Sequence, residues 1–268
     1  MISVVRPAIY TTNTSRCSVH PYDSEADEER FFVVRNGRRY NSTSELYPLP
    51  ADEEEWDRLA DLHKIHKICL GGLYQASTAV DNLLADEEGE EKSILDCGTF
   101  EFYDVNQPLD HYYGKFDVVH ARSCFLGITN YLHFVDQMAQ CLKPGGILLI
   151  VESPLQLTVP QSLVENTIQG NGSDIRAIDN LRGLMEWHPQ LEIEESFVIN
   201  IPVGSWAMAE TQYLGEASEF IGGLMQENVV RLAQALRIVL LQAGHHPQWV
   251  DEWLRSIIQG ESLVTRRL

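Results

Sequence analysis

The chain has 268 residues, 44% hydrophobic and 22% charged, which suits a globular protein of one large domain or two small ones. Its 39 acidic residues outnumber 20 basic ones, and the formal net charge of −19 argues against nucleic acid or an anionic membrane as a ligand. The sequence contains no signal-peptide core and no run of ~20 apolar residues, and its five cysteines are widely spaced. We therefore expect an intracellular protein, cytoplasmic or nuclear, with reduced thiols.

The first fifty residues are polar and acidic, and we predict that residues 1–50 form an N-terminal arm rather than a domain. In "FFVVRNGRRYNS", Asn36-Gly37 stands between two extended runs and predicts a small hairpin, because both residues tolerate positive φ. Residues 51–268 are predicted to form an α/β domain.

Two helices are predicted at the start of that domain. "EEWDRLADLHKIHKICLGG" has apolar residues at helical spacing and ends at Gly71-Gly72, and "STAVDNLL" forms a second, short helix. From residue 93 onward strands alternate with helices, which indicates a parallel sheet. The predicted strands are "SILDCGT", "FEFYDV", "FDVVHARS", "ILLIVES", "LEIEESFVINIPVG" and "SLVTRRL". The predicted helices are "YLHFVDQMAQCL", "AIDNLRGLMEW" and residues 213–243, and "KPGG" is predicted to be a turn.

The order and spacing of these segments resemble those of class I S-adenosylmethionine-dependent methyltransferases, and more narrowly those of fungal methyltransferases related to secondary-metabolism regulators. The resemblance covers about residues 32–265 and rests on "YPLPADEEEWDRLADLHKIHKICLGGLY", "ILDCGT", "FEFYDVNQPLDHYYGKFDVVHARS", "QCLKPGGILLIVES", "LRGLMEWHPQLEIEESFVINIPVGSW" and "QALRIVLLQAGHHPQWVDEWLR". It implies a Rossmann-like α/β sheet with a helical lid, and S-adenosylmethionine bound across the carboxyl ends of the strands.

Carried over position by position, the resemblance implies cofactor contacts at three strand ends. The matching positions are Asp96, Gly98, Thr99, Asp104, Val105, His120, Ala121 and Arg122. Asp96 and Gly98 match the family's first D-x-G, and Asp104 matches the Asp that meets the adenine amino group. The stretch from His120 to Arg122 matches the end of the fourth strand, which lines the methyl-donor side, and Glu152 matches the end of the fifth.

The chain departs from the family's pattern directly after Thr99. Two further glycines, the helix that follows them and a second strand with its ribose-binding acid have no counterpart between Thr99 and Phe100. Parallel strands need a crossover of a dozen or more residues, so about 30 residues or more are missing. The segments on either side either form one long strand, fold back on each other, or do not both join the sheet. We expect a truncated sheet.

Loss of these groups predicts weak or absent cofactor binding, because each lost hydrogen-bonded anchor costs ~1–3 kcal/mol. A real deletion and a gene model that skipped an exon both explain the gap.

The resemblance implies methyl transfer to an acceptor that the sequence does not identify, and a small molecule and a protein are equally open. His120 is the candidate general base for a hydroxyl acceptor, with a packing or cofactor-contact role as the alternative. His63 and Tyr74 are hypothesised to line the pocket, and we predict no metal site because the His63 and His66 pair lacks a nearby third ligand. The alternative function is a noncatalytic interaction or regulatory protein that uses its acidic surface and long C-terminal helix. The oligomeric state does not follow from the sequence.

Overall fold

The computed structural model describes residues 2–7, 31–42, 47–85, 91–97, 104–153, 161–204, 215, 217–260 and 266–267. The strands are β1 (Ile2–Pro7), β2 (Phe32–Arg35), β3 (Arg38–Asn41), β4 (Ile94–Cys97), β5 (Phe116–Arg122), β6 (Leu142–Val151), β7 (Leu191–Phe197), β8 (Asn200–Ile201) and β9 (Arg266–Arg267). The helices are α1 (Glu53–Cys69), α2 (Ser77–Leu84), α3 (Tyr131–Cys141), α4 (Gln161–Gly170), α5 (Leu181–Glu186), α6 (Ala217–Gln242) and α7 (Pro247–Ile258). Short 3-10 helices cover Asp110–Tyr112, Phe125–Gly127 and Ile175–Asn180.

The main sheet has five strands in the order β4-β5-β6-β1-β7. β4, β5 and β6 are parallel, whereas β1 runs antiparallel to both of its neighbours, β6 and β7. The three parallel strands with helices around them confirm the predicted α/β class and are consistent with a Rossmann-like fold. The arm was not predicted to contribute a strand to this sheet, and Ile2–Pro7 does so.

Helices cover both faces of the parallel strands, which explains why β6 is apolar over its second half. Residues 147–151 of β6 are fully buried. On one face, Val80 of α2 packs against Val118, Ile147 and Leu149. On the other face, alternate residues of the same strands join the larger core around α3.

The predicted hairpin is present as β2 and β3, with Asn36 at φ 50° and Gly37 at φ 77° in the turn. It is tied to the start of α1 because Arg38 donates two hydrogen bonds to the carboxylate of Asp52, at 2.6 and 2.7 Å. Asp52 also caps α1 by accepting from the backbone N–H of Glu55. The hairpin therefore holds the first turn of α1 in place.

A buried polar network joins α1 to α6. Arg58 donates to the carboxylate of Glu55 at 2.8 Å and to Asn228 of α6 at 3.2 Å, and the Asn228 amide donates back to the Arg58 carbonyl at 2.7 Å. All three side chains are buried. Within the part of the chain that is described, no helix is long and apolar enough to cross a membrane.

Several predicted elements differ from the structure. "KPGG" belongs to β6 rather than to a turn, and the register between β5 and β6 shifts there. "LEIEESFVINIPVG" divides into β7 and β8, which lie in different sheets, and β8 pairs with β9. Of the predicted strand "FEFYDV", residues 100–103 lie outside the described residues, and a turn follows Asp104 at once. Helices α4 and α7 were not predicted.

Candidate ligand site at the strand ends

The carboxyl ends of β4, β5 and β6 lie side by side, and three polar side chains share one face there. Asp96 of β4 pairs in register with His120 of β5, so their side chains point to the same side of the sheet. Arg122 lies two residues further along β5 and therefore points to that side as well. This is the face that α2 covers lower down, beside Val118. The structure thus brings together three of the residues that the sequence predicted.

Asp96 and His120 form a pair at this edge. His120 Nδ1 lies 3.5 Å from Asp96 Oδ1, and the carboxylate is half-exposed while the imidazole is buried. The hydrogen bond to His120 is the main cause that lowers the pKa of Asp96, so the carboxylate stays ionised. The other ring nitrogen of His120, Nε2, is buried and has no hydrogen-bond partner among the described residues.

Arg122 contacts the helical layer above the sheet. One of its terminal nitrogens, Nη2, lies 2.6 Å from Nδ1 of His63 on α1. A guanidinium can only donate, so the His63 nitrogen accepts and carries no proton. Burial, and then the charge of Arg122, lower the pKa of His63. The hypothesis that His63 lines the site agrees with this contact, whereas the Tyr74 hydroxyl donates to Asp81 instead.

The turn after β5 is fixed by a buried carboxyl group. Glu152 follows β6 directly and is fully buried. Its Oε1 accepts from the backbone N–H of Cys124 at 3.0 Å and from the Tyr131 hydroxyl at 2.9 Å. Burial raises its pKa to about 7. Glu152 therefore holds the segment that leaves β5 next to the candidate site.

Two further polar residues at these strand ends were missed by sequence reasoning. Ser123 has a left-handed backbone, at φ 56°, and its hydroxyl is buried without a hydrogen-bond partner in the described part of the chain. The same holds for the hydroxyl of Ser153, just after β6. A left-handed non-glycine residue at a strand end is typical of functional sites, but no sequence pattern predicts it.

Gln75, in the loop between α1 and α2, was also missed. It is buried, and neither its amide nitrogen nor its amide oxygen has a partner among the residues described. The next residue, Ala76, has a left-handed backbone at φ 50° and packs beside the face that carries Val118. A buried amide with both ends unsatisfied is costly unless something binds it.

The remaining predicted residues either make other contacts or lie outside the described residues. Asp104 accepts from the backbone and side chain of Asn106, at 3.0 and 2.7 Å. Val105 packs partly buried against the core, and Ala121 is fully buried on the face opposite His120. Gly98 and Thr99 lie outside the described residues.

The polar groups fit part of S-adenosylmethionine. Asp96 offers an anion and Arg122 a cation, which match the ammonium and carboxylate of the cofactor's amino-acid end. Unsatisfied atoms of His120 and Ser123 are available nearby. The acid that the resemblance leads us to expect for the ribose has no counterpart among the predicted site residues, and Glu152, an acid at the same edge, is engaged by Tyr131 and Cys124. Of the described residues, no three His, Cys, Asp or Glu side chains are grouped so that they could hold a metal ion.

Comparison with known proteins identifies one informative relative. The chain is 32% identical over 292 aligned positions to the secondary metabolism regulator laeA of Coprinopsis cinerea, and the alignment covers 85% of this chain and 70% of that protein. No protein-family model and no solved structure matches the chain.

Proposed function

Because the chain belongs to the family of the secondary metabolism regulator laeA, we propose that it is a methyltransferase-like protein with a reduced S-adenosylmethionine site at the ends of β4, β5 and β6. The observation that carries the proposal is the grouping of Asp96, His120 and Arg122 on one face of three aligned parallel strands. Ligands of open parallel sheets bind at this edge. The buried, unsatisfied atoms of His120 and Arg122 support a ligand there.

The site is proposed to be smaller than that of the family because the family's glycine loop and second strand have no counterpart in this sequence. Among the described strands, β4 pairs only with β5 and lies at the edge of the sheet. The alignment with laeA runs over 292 positions, more than the 268 residues of this chain, so the relative has residues that this chain lacks. Both observations support a shortened sheet. Several lost anchors together weaken binding by orders of magnitude, since ~1.4 kcal/mol corresponds to a factor of ten.

Methyl transfer would need little more from the protein than alignment of the acceptor, the methyl group and the sulfur. S-adenosylmethionine supplies the methyl group as a sulfonium when it is bound. Asp96 and Arg122 would orient the amino-acid end, and His120 would accept a proton at Nε2 from a hydroxyl acceptor. The class of acceptor, small molecule or protein, is left open by this arrangement.

Calorimetry with S-adenosylmethionine tests the reduced site. We expect the chain as it stands to bind the cofactor weakly or not at all. A second form carries an insert from laeA between Thr99 and Phe100, chosen to supply the glycine loop, helix and second strand of the family pattern (the laeA segment), and we expect it to bind at micromolar concentration. A Gly/Ser insert of the same length is the matched control and should not restore binding. Micromolar binding by the unaltered chain would contradict the reduced site, and no binding by the chain with the laeA segment would contradict the donor site itself.

A noncatalytic, regulatory role is the second candidate. The net charge of −19 and the exposed Phe220 on the long helix α6 favour a contact with a basic partner protein. This candidate gains support if the transcript encodes no extra segment at Thr99–Phe100 and the chain binds no S-adenosylmethionine. An in-frame exon at that point would favour the enzyme.

A further inference from the structure

Arg122 is a partly buried cation with no directly paired carboxylate among the described residues, although the charge of Asp96 acts on it from a distance. Its Nη1 is buried with no hydrogen-bond partner among the described residues, and its Nη2 contacts only the neutral ring of His63. No described carboxylate forms an ion pair with it, although burial lowers its pKa. Arg38 and Arg58, by contrast, are each paired with a carboxylate. Burying a guanidinium whose donors make no direct bond to a counter-charge is costly, and the more distant Asp96 offsets this only in part, so a bound anion would be favourable at this position.

We propose that Arg122 receives the carboxylate group of a ligand and that His63 occupies the guanidinium until this ligand binds. The inference rests on the proposed function in that the ligand site is the same edge of the sheet. A guanidinium presents parallel N–H groups that match the two oxygens of a carboxylate. The neutral imidazole uses one of these donors and leaves the other unsatisfied, so a carboxylate is the better partner and displaces it.

The position of His63 makes this exchange sensitive to pH. The ring faces Arg122 and His120 on β5, Asp96 on β4, and Lys67 on its own helix. Burial and Arg122 lower its pKa, so the ring is neutral at pH 7 and takes up a proton as the solution becomes more acidic. A protonated ring can no longer accept at Nδ1 and repels the guanidinium. Carboxylate binding should therefore tighten as the solution becomes more acidic than pH 7, as long as the carboxylate itself stays ionised.

Sodium acetate is the direct probe. In the full chain with ¹⁵N-labelled histidine, the His63 ring signal is followed by NMR as acetate is added, with sodium chloride at equal ionic strength as the control. His63→Ala identifies the signal by its loss. We expect acetate to move the His63 signal in the wild type and in Arg176→Gln, an exposed arginine, and the Arg122→Gln variant to lose at least tenfold in affinity. If acetate leaves the His63 signal in place, or moves it equally in Arg122→Gln, the proposal is wrong.

Two further variants separate loss of the carboxylate contact from misfolding and test the role of His63. Arg122→Lys keeps the positive charge but loses the paired N–H donors. We expect its affinity for acetate to lie between those of the wild type and of Arg122→Gln, and it replaces Arg122→Gln in the comparison if that variant folds poorly. In His63→Ala, followed through the His120 signal, acetate should bind several-fold more tightly at pH 7 and with a smaller pH dependence. Unchanged affinity and an unchanged pH profile in His63→Ala would contradict the role of His63.

The carboxylate could be that of the cofactor or that of the acceptor, and two more ligands separate these sources. S-adenosylmethionine and its decarboxylated analogue are compared on the same His63 signal, in the chain that carries the laeA segment. A shift with S-adenosylmethionine alone assigns Arg122 to the cofactor, and a shift with acetate but with neither nucleoside assigns it to the acceptor. The acetate result does not depend on cofactor binding, so failure of this proposal and failure of the proposed function are distinguishable.

Discussion

Glu152 shows how much a single buried carboxyl group determines at this edge of the sheet. It lies fully buried behind the turn that leaves β5 and accepts hydrogen bonds from Cys124 and Tyr131. Burial raises its pKa from 4.5 to about 7. The unfolded chain therefore releases this proton at a lower pH than the folded chain does, and ionisation of Glu152 opposes folding at neutral pH.

The sign of this effect predicts a pH dependence of stability. Below about pH 4.5, ionisation of Glu152 does not affect the free energy of unfolding. As the pH rises to about 7, the raised pKa lowers the free energy of unfolding by roughly 3 kcal/mol. Glu152→Gln keeps an acceptor oxygen but cannot ionise, so it should lose less stability than the wild type between pH 5 and pH 8. Urea unfolding across this pH range measures the difference. Parallel stability curves for the two proteins would contradict the raised pKa.

At the scale of elements, α1 connects the hairpin, the candidate site and the long helix. Its first turn is capped by Asp52, its second turn carries Arg58, and His63, five residues further along, contacts Arg122. The contact of Arg58 with Asn228 of α6 and the contact of His63 with Arg122 of β5 therefore hold the same helix. Contacts that stabilise α1 therefore also help to position the residue that it contributes to the site.

Breaking the network should be more costly than replacing it. Glu55→Ala leaves the Arg58 guanidinium buried without its carboxylate, and we expect a loss of about 3–5 kcal/mol. The double variant Glu55→Leu, Arg58→Met removes both charges and should recover most of this loss. Thermal or urea unfolding of the three proteins measures the difference. Equal losses in the single and double variants would show that the pair is not buried as described.

Gly146 lies where the register between β5 and β6 shifts, and it is packed closely against backbone atoms. A Cβ at this position would lie 2.8 Å from the backbone oxygen of Asp117 and 3.0 Å from that of Lys143, and backbone atoms cannot move aside cheaply. Gly146→Ala should cost about 1–3 kcal/mol. Gly170→Ala, at a site with nothing within 4 Å, is the matched control and should be close to neutral. Differential scanning calorimetry of both variants compares them, and equal melting temperatures would argue against the close approach.

The sequence best predicts those helices and strands whose spacing of apolar residues can be read entirely within the element itself. β5 and α3 lie where their apolar spacing placed them, because each buries a face that its own residues define. The division of residues 191–204 into β7 and β8 was missed, because it depends on which sheet each half joins. In the site, the grouping of Asp96, His120 and Arg122 followed from the resemblance. The contact of Arg122 with His63 did not, because the two residues are far apart in sequence and no local pattern couples them.

At the scale of the whole molecule, the sheet is completed by its most N-terminal strand. β1 lies between β6 and β7 and pairs with both, so the two strands would face each other across a gap without it. Six residues with no partner nearby in sequence give no reason to predict a strand in this position. Residues 2–7 therefore form a strand because β6 and β7 provide hydrogen-bonding partners on both sides.

A proline in β1 tests its central position. Ser3 pairs with Ile150 on one side and Ser196 on the other. Ser3→Pro removes a ladder N–H from an interior strand and should destabilise the protein on the order of 3 kcal/mol. Ser3→Ala keeps the N–H and serves as the control. Chemical unfolding of both variants gives the comparison, and if proline is tolerated as well as alanine, β1 does not lie inside the sheet.

The place of β1 also has a consequence for how the protein is made. Residues 2–7 leave the ribosome well over a hundred residues before the strands on either side of them, β6 and β7. Until then this apolar segment has no native partner, and the sheet can close only when β7 is complete. Such distant pairing slows folding and exposes unpaired strand edges to other chains. We therefore expect the nascent protein to depend on chaperones more than its modest size suggests.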